Sequence, residues 1–104
     1  MSSNIISIYT TFPNKEKATK LSSYLIDNQF VACANYFPIS SSYMWNGEIQ
    51  NEEEVASLFK TTKEKWDQVS EKLEELHPYD IPCIIKYEIE ANESYSKWVK
   101  DCVS

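Results

Sequence analysis

Apolar positions along the chain keep two different rhythms, and the switches between them mark its elements. Ile5, Ile6, Ile8 and Tyr9 form a β-branched run that predicts a first strand near the middle of a sheet. Pro13-Asn14 punctuates it, and Asn14 is placed to cap a helix from about Lys15 to Asn28. Ala18, Leu21 and Leu25, with Tyr24 beside them, recur there at helical spacing. Phe30 to Phe37 reads as a second strand ended at Pro38, Ser40-Ser41-Ser42 as a polar break, and Tyr43-Met44-Trp45 as a new extended piece. Asn46-Gly47 contains the only glycine and is a strong hairpin signal, because both central residues of a type I′ turn need φ > 0. The chain is expected to return as a long strand to about Thr61, with Val55, Ser57 and Phe59 facing one way and Ala56, Leu58 and Lys60 the other.

Thr61-x-x-Glu64 has the form of a capping box, and Trp66, Val69, Leu73 and Leu76 supply the buried stripe of the second helix that follows it. After a proline-bracketed loop, Cys83, Ile85, Tyr87 and Ile89 alternate with Ile84, Lys86, Glu88 and Glu90, a half-buried strand by period. A last helix near Ser94 to Val103 presents Tyr95, Trp98, Val99 and Cys102 on one face. The order β-α-β, hairpin, α-β, helix suits an α+β, ferredoxin-like split βαβ sandwich with two helices on one face of the sheet. The hairpin is longer than so small a sheet needs and leaves strand edge unpaired. Such edges are usually paired or covered, and closed rotational symmetry does so with copies of the same chain, so a homo-oligomer is expected.

Composition narrows this picture. At 104 residues the chain is long enough for one domain and too short for two, so residues 1–104 are read as a single unit. Sixteen acidic residues oppose ten basic ones, all lysine, which gives a formal charge of −6. Phosphate-backbone recognition favours a positive surface rich in arginine, so nucleic acid is not expected as a partner. No apolar run reaches membrane-spanning length, and no membrane association is expected. Met1-Ser2-Ser3-Asn4 lacks the basic and apolar regions of a leader. Cys33, Cys83 and Cys102 are odd in number, widely spaced and without C-x-x-C, a pattern of reduced thiols in a cytoplasmic compartment.

The candidate chemistry centres on the only histidine, in His77-Pro78-Tyr79-Asp80-Ile81-Pro82. Each proline fixes its own φ and pushes the residue before it towards extended geometry, so the imidazole, phenol and carboxylate sit in a stiff loop. Catalytic motifs such as G-x-S-x-G, H-E-x-x-H or a glycine-rich phosphate loop are missing, and no enzyme activity is expected. Imidazole and thiolate suit Cu and Zn, which makes His77 and the cysteines the donors to test. Cys33 and Cys102 read as small buried hydrophobes, and Glu52-Glu53-Glu54 as a solvated strand edge. Trp45, Trp66 and Trp98 read as core or interface aromatics.

Four ordered motifs carry a resemblance that spans nearly the whole chain. Val31-Ala32-Cys33-Ala34-Asn35 before Pro38, Ser42-Tyr43-Met44-Trp45-Asn46-Gly47-Glu48-Ile49, the H-P-Y-x-x-P loop from His77, and Tyr95-x-x-Trp98 together resemble the CutA divalent-cation tolerance proteins. Glu54-Val55 with Lys60-Thr61 is similar to the family's returning strand. The resemblance implies a ferredoxin-like protomer in a tight homotrimer, and an association with copper and other divalent metals. The ligands it implies are a cysteine near the end of strand one and histidines at the start of the loop. Here Tyr9 or Thr10 occupies the first position, and Leu76 precedes the single His77. Cys83 stands after the second loop proline, where the family often has Glu. His77 and Cys83 are therefore the candidate metal residues, for Cu2+ or another divalent metal, with Asp80 or a neighbouring subunit as a source of a third donor. The alternative for His77 is a capping role at the end of the second helix. Two other functional readings stay open beside the metal one: a trimeric small-ligand sensor, and a scaffold or interaction protein without a metal role.

Overall fold

The computed structural model describes residues 4–104, so the first three residues of the stretch read for a leader lie outside the described residues. Four strands, β1 (Ile5–Phe12), β2 (Cys33–Trp45), β3 (Glu48–Thr62) and β4 (Ile84–Ile89), form one antiparallel sheet in the order β2-β3-β1-β4. Helix α1 (Lys15–Asp27) joins β1 to β2, α2 (Trp66–Leu76) joins β3 to β4, and α3 (Glu93–Val103) follows β4. This is the expected split βαβ arrangement, with each of the first two helices crossing between strands of one sheet.

Alternation along β1 assigns the two faces. Ile6, Ile8 and Phe12 meet Ala18, Leu21 and Leu25 of α1 and Val69 and Leu73 of α2 in the main core. Ile5 points the other way and packs with Ala32, Val99 and Val103, which places α3 over one end of the opposite face. Asn14 caps α1 as expected, its side chain accepting the Lys17 amide at 2.8 Å. The helix ends in a Schellman motif. The Phe30 amide bonds Leu25 O at 2.9 Å and the Gln29 amide bonds Ile26 O at 3.0 Å, with Gln29 at φ 61°.

Several expectations change. Strand β2 begins at Cys33 rather than Phe30, because the Schellman turn occupies the residues before it. It then runs unbroken through Pro38 and Ser40-Ser41-Ser42 to Trp45. Proline is tolerated there because β2 is an edge strand, so a missing N–H can face solvent without breaking a ladder. The capping box does not form. Strand β3 extends to Thr62, a 3-10 turn covers Lys63–Lys65, and the Thr61 hydroxyl instead donates to Phe30 O at 2.7 Å. Leu76 is exposed, and His77, one residue on, takes the buried position. In β4 the apolar parity is reversed from a simple half-buried strand. Ile84 packs on the main core, Lys86 lies over the Trp66 ring and Glu88 pairs with Lys63, so Ile85 and Tyr87 look out from the open face at 43% and 51% exposure.

The β1–β3 pairing stops at Phe12↔Val55, whereas β2 and β3 stay paired out to Trp45↔Glu48. Ile39 to Trp45 and Glu48 to Glu54 therefore form a two-stranded arm beyond the sheet, closed by Asn46 (φ 51°) and Gly47 (φ 80°) as the hairpin signal requires. The arm contributes to an elongated body of 45 × 25 × 21 Å.

Gln29 carries a β-carbon in the left-handed region, which costs an L-residue about 1–2 kcal/mol. Gln29→Gly is expected to raise the unfolding free energy by about 1 kcal/mol in urea denaturation, since it relieves that strain outside the helix interior. A loss of stability would show that the Gln29 side chain holds the turn.

Candidate functional site between the hairpin arm and the histidine loop

The loop is positioned by the imidazole. His77 follows the last turn of α2, where its extended backbone (ψ 142°) obeys the proline after it and its amide still bonds Leu73 O at 2.9 Å. Its ring is buried and stacks on Phe12 with centroids 4.8 Å apart. The Tyr79 amide donates to Nδ1 at 3.0 Å, so Nδ1 is the acceptor and the proton sits on Nε2, which donates to Thr11 O at 2.8 Å. One neutral ring thus ties the end of β1 to the end of α2 and to the loop. The capping expectation is corrected in one respect: the ring bonds a strand carbonyl, not the last carbonyls of its own helix. Burial lowers the His77 pKa below its ordinary value, against the opposing pull of Thr11 O and of the Glu54 and Glu74 charges.

Beyond His77 the loop forms one wall of an open groove of about 810 Å³. Pro78, Tyr79, Asp80 and Ile81 line that wall, Tyr43 to Trp45 line the arm wall opposite, and Tyr9, Thr11, Glu54 and Cys83 complete it. Glu54 leaves the sheet at the root of the arm and accepts the Tyr79 hydroxyl at 2.6 Å. The Tyr43 hydroxyl donates to Glu52, on the same face of the arm. Burial first, then the Glu54 bond, holds the Tyr79 phenol well above its usual range. Burial and Glu54 likewise push the Cys83 thiol up. Tyr9 is raised by burial, with Cys83, Glu54 and Tyr87 adding to it.

The two expected metal residues are separated by role. Cys83, just before β4, lines the groove as a half-buried free thiol. His77 does not line it, and both of its ring nitrogens are already hydrogen-bonded. Asp80 is exposed on the groove rim. Among the described residues no three His, Cys, Asp or Glu side chains are gathered as a metal centre. Cys33 is half-buried, but it is not inert packing: its Sγ lies 3.2 Å from the Tyr95 hydroxyl and ties β2 to α3.

Glu54 is the residue the acidic run concealed. The run predicts a solvated edge, and that holds for the exposed Glu52 and Glu53, but Glu54 is half-buried and hydrogen-bonded inside the groove. Its parity was available, since it lies two residues before Ala56 and four before Leu58 on the face opposite Val55 and Phe59.

The fold agrees with comparisons to known proteins. A profile of the CutA1 divalent ion tolerance protein family matches residues 6–102. The chain belongs to that family. It is 41% identical over 100 residues to the divalent-cation tolerance protein CutA of Thermotoga maritima, covering 95% of this chain and 99% of that one. The crystal structure of the divalent ion tolerance protein CutA1 from Ehrlichia chaffeensis superposes with a TM-score of 0.93 at 40% identity, covering 100% of this chain and 98% of the other. The Archaeoglobus fulgidus structure, described as a periplasmic divalent cation tolerance protein, gives 0.92 at 33% identity over 96% and 99% of the two chains.

Because His77 is held neutral when folded, protonation favours the unfolded chain. Its contribution is complete above the ordinary histidine pKa of about 6.5 and falls as pH drops from there towards the lowered folded value. His77→Ala is expected to cost about 2–3 kcal/mol, by loss of two buried hydrogen bonds and a stacked ring, and to flatten this slope. Thermal melts of both proteins between pH 5 and 8 check it, and an unchanged slope would refute the assignment.

Proposed function

We propose that this CutA-family chain is a non-catalytic divalent-cation tolerance protein that holds its cation loosely at the groove instead of in a closed metal centre. The observation that carries this is the groove lining: a thiol at Cys83, a half-buried carboxylate at Glu54 and no basic side chain. A thiol and a carboxylate give a site that favours copper among common divalent ions and exchanges readily, because a tight site needs more donors. His77 acts here by placing the loop. Thiol ligation releases a proton, so affinity rises with pH while Cys83 is increasingly ionised.

We further assign a homotrimer, the assembly that the resemblance implies. The open sheet face carries Ile85, Tyr87 and Phe37 at 43%, 51% and 38% exposure, and the arm tip carries Met44, Trp45 and Ile49. A two-stranded arm with two unpaired edges is marginal alone and gains most from pairing with other copies. The compartment we assign is the cytoplasm, where the three free thiols would stay reduced.

Calorimetric titration of Cu2+ is expected to show Cys83→Ser weakening binding about tenfold or more, with affinity rising from pH 6 to pH 8. His77→Ala is expected to lower the melting temperature and, by loosening the loop, to weaken copper less than Cys83→Ser does. Tight binding untouched by Cys83→Ser would sink the groove site. Light scattering at micromolar concentration should return three times the 12.1 kDa chain mass, and a monomer would contradict the assembly.

A further inference from the structure

One row of the sheet breaks the apolar rule beneath the helices. On the core side of β1 and β3, Ile8 stands opposite Phe59 and Phe12 opposite Val55, and all four belong to the main core or pack on it. Between these pairs Thr10 stands opposite Ser57, with Tyr36 and Ile84 at the two ends of the same row. Alternation along the strands puts both hydroxyl side chains on that core face. Each residue is 0% exposed, and among the described residues neither hydroxyl has a hydrogen-bond partner. Ser7, a third hydroxyl in that condition, lies on the opposite face by register.

A buried hydroxyl without a partner forfeits the bonds it made to water in the unfolded chain, so two of them side by side call for a partner. Their spacing says of what kind. Directly opposed residues of an antiparallel pair hold their β-carbons about 4.5–5.5 Å apart. A direct bond between hydroxyls needs about 2.8 Å, whereas two such bonds meeting near the tetrahedral angle at one oxygen span about 4.6 Å. The pair is set at the span of a bridged contact. Helix α1 helps, because it turns the small Ala18 and Ser22 inward with Leu21 and Leu25, which leaves room over this face that four large side chains would fill.

We infer that Thr10 and Ser57 bind one internal water molecule between β1 and β3. Each hydroxyl can donate and accept, so the water has the two polar partners that an internal site needs at the least. Neither residue lines the groove, and both face away from the open side of the sheet. The site is therefore complete within one chain and is the same whether or not copies associate. It lies one residue before Thr11, whose carbonyl receives the His77 ring, so it joins β1 to β3 next to the loop's anchor.

A high-resolution crystal structure of the full chain tests the inference, with an ordered water expected within about 3 Å of both Oγ atoms. Thr10→Val and Ser57→Ala, which nearly keep the side-chain shapes, supply an independent measure in urea at fixed chain concentration. Each single variant strands the other hydroxyl and is expected to lower the unfolding midpoint by about 0.5 M. The double variant should lose the water and lower the midpoint by clearly less than the two single shifts added together. A direct bond between the two hydroxyls, or a dry contact, would overturn the inference. So would single variants that raise the midpoint, since replacing a hydroxyl that has no partner at all by an apolar group relieves a penalty. Strictly additive losses, or a water that persists in the double variant, would equally remove these two residues as its holders.

Discussion

The groove depends on one imidazole that makes two hydrogen bonds at once. Without the acceptor at Nδ1 and the donor at Nε2, the loop would lose its bonds to Thr11 O and the Tyr79 amide and be left with the Tyr79 hydroxyl on Glu54 to hold it to the sheet. The constraint is chemical as well as geometric. Only a neutral ring with the proton on Nε2 satisfies both partners, so the same burial that disfavours protonation selects the tautomer the loop requires. A residue that invites a metal-ligand reading from its type alone is thereby committed to architecture.

The second constraint is the mismatch of strand lengths. Strands β1 and β4 span 8 and 6 residues, while β2 and β3 span 13 and 15. The surplus cannot be covered by α1 and α2, which lie over the short part of the sheet. It leaves the body as an arm whose cross-strand bonds, Ser40 to Glu53 and Ser42 to Asn51, are polar on one face, while Tyr43, Glu52 and Glu54 occupy the other. The groove opens between this arm and the histidine loop. Helix α3 covers only the far end of that face, so Ile85 and Tyr87 stay uncovered in one chain.

Most of the fold was legible because periodicity, the Asn14 cap and the Asn46-Gly47 turn agree with one another. What was lost follows from positions where tertiary context outweighs local signals. Pro38 looked like a strand end, yet an edge strand has no use for its missing donor. Thr61 looked like a helix cap, yet its hydroxyl is spent on Phe30 O while the chain is still extended. The loop and Cys83 stand out in the sequence and both line the groove, as does Tyr9, which reads there as a strand residue and as one occupant of the position where the resemblance implies a cysteine. Glu54 was hidden by its neighbours: three consecutive acids read as solvent-facing until alternation is applied across them. That Ile85 and Tyr87 face away from the helices was not legible either, because a period of two shows that faces differ without saying which one the helices take.

The arm has one further consequence. Its inner face is a matter of parity, since Tyr43 meets Glu52 only because it stands an even number of positions along the strand from Phe37 and Ile39 on the same face. One residue inserted between Pro38 and Tyr43 would swap the two faces of the strand or force a bulge, with the composition of the chain almost unchanged. The groove's identity is therefore stored in a count of residues, and deletions or insertions in this arm would alter recognition more sharply than most substitutions within it.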